Sequence, residues 1–316
     1  MTDVADVRVA VTGASSFTAL WICKALTSAG YFVDALLHQP IEHYAGVQKE
    51  RLRILKDERL RLHVNLAAEK GDFEDWIKEN KPTVWIHHHH HMENFRDHNY
   101  DLAKADLRCV RPLNAIIKAL AENGCRRLIY SGSYLENDPD CEVSFAQNSP
   151  YAQSKQKVWQ SLLRLSRNLN LPISKIVIPN PIGPLENADR LIPTLIRKSI
   201  YGGEVTLVGH NRMAINLPVD RLAQEYLREV EESLKHSVER IRILQPRVEG
   251  ESTYLLARRA LKAIVATQLC NRPCPVFTDD AIQVDEQRAA VDGEVSEFWY
   301  WYADVLKLTG MEGVQL

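Results

Sequence analysis

No run of 18 apolar residues occurs in the sequence, so we expect no membrane-spanning helix. Neither sign of charge is in excess either, since 39 lysines and arginines stand against 41 aspartates and glutamates. This balance does not indicate a nucleic-acid partner or an anionic membrane surface. The first residues, "MTDVADVRVAVTG", run straight into a predicted strand without a signal-type segment, and we therefore expect a cytoplasmic protein.

Cysteine is sparse, and its spacing matches no metal-binding pattern. Of the six cysteines, the two closest, Cys270 and Cys274 in "CNRPC", have no second pair and no histidine motif beside them. Structural zinc takes four ligands at recognisable spacings. We therefore expect reduced, mostly buried thiols and no bound metal.

Glycine is scarce where a dinucleotide-binding turn usually needs it. The stretch "VTGASSFTA" follows an apolar strand and opens a predicted helix, yet it contains only Gly13. Three glycines in such a turn allow the tight bend, the approach of a pyrophosphate and the packing of helix on strand. Here Ser16 and Ala19 take the second and third positions, and the helix N-terminus still offers free N–H groups. The turn fits either a phosphate cradle or an ordinary strand-turn-helix.

Short apolar runs alternate with longer helical patterns over the first part of the 316-residue chain. This alternation predicts an α/β fold with a Rossmann-like, doubly wound parallel sheet. After residue 181 the pattern changes, and a short strand is predicted over 204–209. We expect a dinucleotide-binding domain over 1–181 and mainly a substrate-binding lobe over 182–316, part of which returns to the sheet. The predicted strands are 7–13, 32–37, 60–65, 83–88, 126–133 and 174–181, and the predicted helices of the first domain are 17–29, 43–56, 70–79, 100–123 and 150–169.

A second group of residues has the chemistry of proton transfer. In "SPYAQSKQKVW", Tyr151 and Lys155 are four residues apart, so both side chains lie on one helix face. A lysine ammonium beside a tyrosine stabilises the phenolate and lowers its pKa from the free value near 10. Ser131 and Ser133, in "IYSGS", come at the carboxyl end of the fifth predicted strand and offer hydroxyls to a substrate oxygen.

Together these motifs resemble the extended short-chain dehydrogenase/reductase family of the NAD-dependent epimerase/dehydratase type. The matching stretches are "VTGASSFTA", "WIHHHHH", "IYSGS", "PYAQSK" and "NPIGP", and the resemblance covers about residues 7 to 225. It implies that Tyr151 is the catalytic acid/base, with Lys155 as its partner and ribose ligand. Ser133 would polarise the substrate.

The resemblance also implies which residues bind cofactor and substrate. The expected cofactor-binding residues are Gly13, Ser15, Ser16, Phe17, Thr18, His38, Asn65, His87, His88, His89, Ser131, Tyr151, Lys155, Pro181 and Ile182. The expected substrate-binding residues are His91, Glu93, Asn94, Tyr134, Glu136, Asn180, Arg190 and Arg212. The helices over 100–123 and 150–169 pair between subunits in many relatives, so a homodimer is expected.

The choice between NAD and NADP is read at the end of the second strand, where an acid binds the 2′-hydroxyl of NAD and a base accepts the 2′-phosphate of NADP. This chain has His38 and Gln39 there, which slightly favours NADP. The following charged stretch, "KERLRILKDERLRL", is either a solvated helix face or a contact for an adenosine phosphate.

Five consecutive histidines, His87 to His91, continue the fourth strand into the next loop. Alternation along a strand places His87 and His89 on one side and His88 and His90 on the other. Packing beside the cofactor, contact with the substrate and a metal site are the three interpretations. Adjacent strand positions seldom converge on one ion, so the metal site is the least favoured.

The sequence therefore predicts an NAD(P)-dependent enzyme acting on a sugar carbonyl or carbinol, a nucleotide-sugar 4-ketoreductase or epimerase. One alternative is a reductase of a non-nucleotide carbonyl compound, since Ala214-Ile215-Asn216 stands where nucleotide-sugar enzymes usually carry Arg-Asp-Phe. A second alternative, from another class, is a non-catalytic dinucleotide sensor with an altered glycine turn.

Overall fold

The computed structural model describes residues 6–136, 149–202, 204–207, 209, 211–235, 239–246, 249–269 and 295–309. Cys141, Cys270 and Cys274 lie outside these ranges, so the expectation for those thiols is not addressed by the fold. Within them, Cys23, Cys109 and Cys125 are buried free thiols.

Seven strands form one parallel sheet in the order β10-β6-β5-β4-β1-β2-β3, which confirms the predicted doubly wound fold. Four short strands form two further pairs, β7 with β9 and β8 with β11. The strands are β1 (Arg8–Thr12), β2 (Phe32–Leu36), β3 (Leu60–His63), β4 (Val84–His87), β5 (Arg127–Ser133), β6 (Ile173–Ile178), β7 (Asn180–Ile182), β8 (Met213–Ala214), β9 (Asn216–Pro218), β10 (Ile241–Leu244) and β11 (Glu251–Ser252).

Helices connect the strands of the sheet and carry most of the remaining chain. Short 3-10 turns at Ile41–His43 and Ala68–Lys70 precede the second and third helices. The helices are α1 (Phe17–Ser28), α2 (Gly46–Ile54), α3 (Asp72–Asn80), α4 (Leu102–Ala105), α5 (Leu113–Glu122), α6 (Pro150–Leu169), α7 (Leu191–Tyr201), α8 (Val219–Ser233), α9 (Thr253–Ala266) and α10 (Glu297–Thr309).

Two of the predicted elements differ in the structure. The helix predicted over 100–123 is divided, because α4 passes into a π-helical turn at Asp106–Val110 and α5 begins only after Pro112. Proline has no N–H with which to continue the helical ladder. The strand predicted over 204–209 was wrong for the residues described there, where only Val205 makes a bridge. Its alternation reflects the burial of Val205 and Leu207 rather than pairing with another strand.

The chain folds into two compact units. Unit 1 comprises 1–179 and 220–247 and contains the whole seven-stranded sheet, because β10 returns to pair with β6. Unit 2 comprises 180–219 and 248–316 and contains the two short strand pairs with α7, α9 and α10.

Between the sheet and helices α3, α5 and α6, the core of unit 1 contains several aromatic side chains. Trp85 is fully buried, and the ring of Tyr130 stacks on that of Trp159 with centroids 5.9 Å apart. Burying a large apolar side chain stabilises a fold by about 1.5–3 kcal/mol. The carboxyl ends of β1, β4 and β5 meet at one edge above this core, since these strands are adjacent and parallel. Within the described residues, no helix has the length and apolar character needed to cross a membrane.

Candidate active site

The turn between β1 and α1 is built around Gly13, whose φ of +69° favours glycine. A Cβ at this position would lie 3.0 Å from the Cα of His89, so the turn and the chain after β4 approach closely. Ser16 caps α1 by accepting a hydrogen bond from the Ala19 amide at 3.2 Å, and Ala19 is fully buried against the strand. Ser16 therefore serves as the N-cap of α1, and Ala19 is small enough to pack in the interior at the third position of the turn motif.

Tyr151 and Lys155 lie one turn apart near the start of α6, which Ser149 caps. The Lys155 ammonium donates to the Ser131 carbonyl oxygen at 2.6 Å, and its nitrogen lies 4.9 Å from the centre of the Tyr130 ring. Burial lowers the pKa of Lys155 to about 8. The end of β5 therefore holds this amine in place.

Tyr151 is buried among the rings of His90, Phe95 and Tyr100, with centroids 5.3 to 6.0 Å away. Burial, and next the negative charge of Glu136, raise the pKa of the Tyr151 hydroxyl. This differs from the expectation that Lys155 lowers that pKa. Tyr151 is protonated at neutral pH, and its hydroxyl has no hydrogen-bond partner among the described residues.

Ser133 closes β5 with its side chain buried. Its hydroxyl oxygen accepts from the Leu135 amide at 3.2 Å, which leaves the hydroxyl hydrogen available to another acceptor. Its own amide donates to Glu136 at 2.6 Å. Glu136 lies in the interior and pairs with Lys175 at 2.6 Å, while Tyr134 is half-buried. The carboxylate of Glu136 therefore holds the backbone of Ser133 in position through this hydrogen bond.

The histidines divide between the two faces of the sheet. His87 and His89 lie on the core side with ring centroids 4.5 Å apart, and Trp85 donates to His87 at 3.2 Å. His88 points to the other face and bonds to Ser131 and the first turn of α1. His90 bonds to Ser154 at 3.3 Å and touches Tyr151.

Burial lowers the pKa of these imidazoles, to about 3 for His88 and about 4 for His89. The pKa of His87 and that of His90 are lowered for the same reason. The run is therefore neutral at physiological pH. Across the described part of the chain, no three side chains of the metal-ligating types are placed to share an ion.

The loop after the histidine run carries three of the expected substrate residues. His91 is buried, and its carbonyl oxygen accepts from the Tyr100 hydroxyl at 2.9 Å. Glu93 is exposed and pairs with Lys104 at 2.5 Å. Asn94 is exposed with a φ of +53°. Their role toward a substrate stays a prediction.

The helix after β2 contains a buried residue that the sequence did not single out. Arg51 of α2 is buried, donates to the Ser15 carbonyl oxygen at 3.3 Å and lies 5.9 Å from the Phe17 ring centre. His38 bonds to the Tyr44 hydroxyl at 3.3 Å, and burial lowers the pKa of His38. The only sequence signal for Arg51 was its place in the charged stretch after the second strand.

Asn65 follows β3 and is exposed, with a φ of +61°. Unit 1 thus contains every expected cofactor residue except Pro181 and Ile182, which belong to β7 of unit 2 and pair with β9.

The expected substrate residues of unit 2 form part of a polar network. Asn180 donates to Asn216 at 2.5 Å and accepts from Arg190 at 2.6 Å. Arg190 also pairs with the buried Glu186 at 2.8 Å. Arg212 is exposed. Asn180 and Arg190 are therefore held together by neighbours in their own unit.

A nicotinamide dinucleotide fits the residues at this edge of unit 1. The partly exposed residues there are Gly13, Ser16, His88, His89 and His90. The α1 N-terminus offers N–H groups suited to a pyrophosphate. The buried Nδ1 of His90, beside Tyr151, has no partner among the described residues, as expected for an atom that awaits a ligand.

Comparison with known proteins places these features in a family. The model of the NAD dependent epimerase/dehydratase family matches residues 9–215, more than half of the chain. No curated protein matches.

Solved structures share the fold at low sequence identity. A UDP-glucose 4-epimerase of Thermotoga maritima with UDP-glucose is 14% identical, with a TM-score of 0.71, and the match covers 96% of this chain and 99% of that one. A UDP-glucuronic acid 4-epimerase of Bacillus cereus with UDP-glucuronic acid and NAD is 14% identical, with a TM-score of 0.69 and the same coverage. A UDP-N-acetylglucosamine 4-epimerase of Methanobrevibacter ruminantium is 14% identical, with a TM-score of 0.69, and the match covers 96% of this chain and 99% of that one.

Proposed function

Because the chain belongs to the NAD dependent epimerase/dehydratase family, we propose that it is a nucleotide-sugar 4-epimerase that works with a bound nicotinamide dinucleotide. The observation that carries the proposal is the arrangement of Lys155 and Tyr151 on one turn of α6, with the amine fixed to the end of β5 at 2.6 Å. Reversible proton transfer at a sugar hydroxyl requires a positioned acid/base and a neighbouring cation that stabilises its deprotonated form.

Tyr151, Lys155 and Ser133 divide the chemistry between them. Tyr151 takes the hydroxyl proton when the sugar carbon is oxidised and returns it when the ketone is reduced. Lys155 stabilises the transient phenolate by its charge and binds the nicotinamide ribose. Ser133 donates its free hydroxyl hydrogen to the same sugar oxygen. When bound, the nicotinamide ring supplies the hydride acceptor and donor.

The substrate class comes from the relatives, whose structures contain UDP-sugars. Asn180 and Arg190 are the candidates for the nucleotide part, since both are polar and fixed by their network. We infer from the same family pattern a homodimer formed through α5 and α6, where Asn114, Ser161 and Arg164 line a surface groove. The buried free thiols are compatible with a reducing cytoplasm.

A second candidate is an NADPH-dependent 4-ketoreductase. Two observations favour it: His38 rather than an acid follows β2, and the guanidinium of Arg51 lies beside the Ser15 carbonyl in the turn between β1 and α1. A cation there suits the 2′-phosphate of NADP. A reductase exchanges its dinucleotide at every turnover, whereas an epimerase keeps it.

The test is to denature the purified protein and identify any released dinucleotide by mass. Released NAD favours the epimerase, and empty protein that binds NADPH favours the reductase. Protein that neither retains nor binds a dinucleotide refutes both. Turnover is then measured on UDP-sugars, on their 4-keto forms and on non-nucleotide carbonyl compounds; activity confined to the last would correct the substrate class.

Tyr151→Phe is expected to keep dinucleotide binding and lower turnover about a hundredfold or more, because the proton donor is removed while the ring contacts remain. The matched control is Tyr31→Phe, a buried tyrosine before β2 and away from the site. Full activity of Tyr151→Phe would contradict its role as acid/base. Binding without turnover in the wild-type protein, on every substrate tried, would identify a dinucleotide sensor.

A further inference from the structure

His88 joins α8 and β5 to the start of α1 through a continuous chain of hydrogen bonds. The Tyr226 hydroxyl lies 2.6 Å from that of Ser131, which lies 2.6 Å from His88 Nδ1. His88 Nε2 lies 2.8 Å from the Thr18 hydroxyl and 3.0 Å from that of Ser16. All five residues belong to unit 1.

The number of available protons decides which group donates and which accepts at each step of this chain of hydrogen bonds. The hydroxyls of Tyr226 and Ser131 are buried, and within the described part of the chain their side-chain partners are each other and His88 Nδ1. If Nδ1 carried the proton, one of these two hydroxyl hydrogens would have no acceptor, and a buried unmade hydrogen bond costs about 1–3 kcal/mol. With the proton on Nε2, Tyr226 donates to Ser131 and Ser131 donates to Nδ1. The imidazole is neutral, so one nitrogen must donate and the other accept.

The Nε2 proton then points at the first turn of α1. A hydroxyl oxygen has two lone pairs and one hydrogen. The Ser16 oxygen accepts from the Ala19 amide and shares the His88 Nε2 proton with the Thr18 hydroxyl. With two N–H groups directed at its oxygen, the Ser16 hydroxyl hydrogen points away from both. Ser16 is also partly exposed, whereas Thr18, which shares the Nε2 proton, is buried.

We propose that His88 is a positioning residue of the dinucleotide site: it fixes the Ser16 hydroxyl as an outward hydrogen-bond donor to a phosphate oxygen. This inference rests on the proposed function, because it assumes that the pyrophosphate binds at the start of α1. It assigns to a side-chain hydroxyl part of the anion recognition that backbone N–H groups provide in a glycine-rich turn. His88, after β4, and Ser16, in the turn, therefore act together in binding the phosphate.

The first measurement needs no variant. In ligand-free protein labelled with ¹⁵N-histidine, the His88 resonances should show a protonated Nε2 and an unprotonated, hydrogen-bonded Nδ1. Loss of these resonances in His88→Leu assigns them. The opposite tautomer would overturn the proposal.

The second measurement is calorimetric binding of NAD, NADPH, ADP and adenosine. Ser16→Ala and His88→Leu should each weaken the tighter dinucleotide, and ADP, roughly tenfold or more, the loss of a hydrogen bond to a charged group. Adenosine has no phosphate and should bind all proteins equally. In the Ser16→Ala background, adding His88→Leu should weaken binding no further, because His88 acts through Ser16.

Ser252→Ala is the matched control. Ser252 caps α9 by accepting from the Leu255 amide at 3.2 Å, as Ser16 caps α1, so both variants should lose a similar stability. Only Ser16→Ala should lose affinity. Unchanged ADP and dinucleotide affinity in Ser16→Ala, or additive losses in the double variant, would refute this inference alone. Failure of the wild-type protein to bind any dinucleotide would refute the proposed function as well.

Discussion

A buried ion pair lies directly beneath the candidate active site and gives a sharp stability test. Lys175 and Glu136 are 0% and 1% exposed, and their charged groups are 2.6 Å apart. The second oxygen of Glu136 accepts from the Ser133 amide, and the Lys175 nitrogen lies 5.3 Å from the centre of the Trp159 ring.

The perturbation is Lys175→Met, which leaves the Glu136 carboxylate buried without its cation. Removing one partner of such a pair costs about 3–5 kcal/mol. That is a large share of a total stability of about 5–15 kcal/mol. Replacing both charges, in Lys175→Met with Glu136→Gln, should cost less than Lys175→Met alone, because the amide can still accept from Ser133 and no charge stays buried.

The assay is urea unfolding at pH 7, followed by circular dichroism and tryptophan fluorescence. The control is Lys78→Met, which removes an exposed pair with Glu74 and should change stability far less than Lys175→Met, because solvent screens the exposed charges. A double variant whose loss equals the sum of its single variants would refute the coupling. A single variant as stable as the wild type would refute the cost assigned to the buried charge.

Two further predictions concern charge in the interior. Burial lowers the pKa of Lys155 from 10.5 to about 8, so the wild type should gain stability between pH 8 and about 10, where the unfolded chain binds the extra proton. The stability of Lys155→Met relative to the wild type should therefore fall by about 2–3 kcal/mol between pH 7 and pH 10. Urea unfolding at the two pH values checks this, and an unchanged difference would contradict it. Burial acts to raise the pKa of Asp34, but hydrogen bonds from His63 and Arg8 outweigh it and lower the pKa. Asp34→Asn should therefore be destabilised at neutral pH, and its deficit should shrink as pH falls below about 4; a deficit that persists at low pH would contradict this.

The sequence predicted the elements whose signals are local. The bounds of α6 follow from apolar periodicity and from the cap Ser149, and the parallel pairing of the strands follows from their alternation with helices. The meeting of Gly13, Ser133 and the histidine run at one edge follows from parallel pairing.

The contacts beneath the site were not predictable in this way. Lys175 and Arg51 look like solvated charges in the sequence, and only the fold shows that both are buried. Tyr226 was part of an amphipathic helix, and its bond to Ser131 joins residues 95 apart. Such pairs depend on tertiary packing, which no local pattern encodes.

The return of residues 220–247 to the sheet has a consequence for the growing chain. Glu229 of α8 pairs with the buried Arg127 and accepts from Ser174, and β10 covers the edge of β6. A nascent chain that has reached only residue 219 exposes β6 as an open edge and leaves Arg127 without its carboxylate. Unpaired edges recruit other strands, so the molecule is most prone to misassociation while it is still being synthesised. A pause in translation between β6 and α8 would prolong that interval.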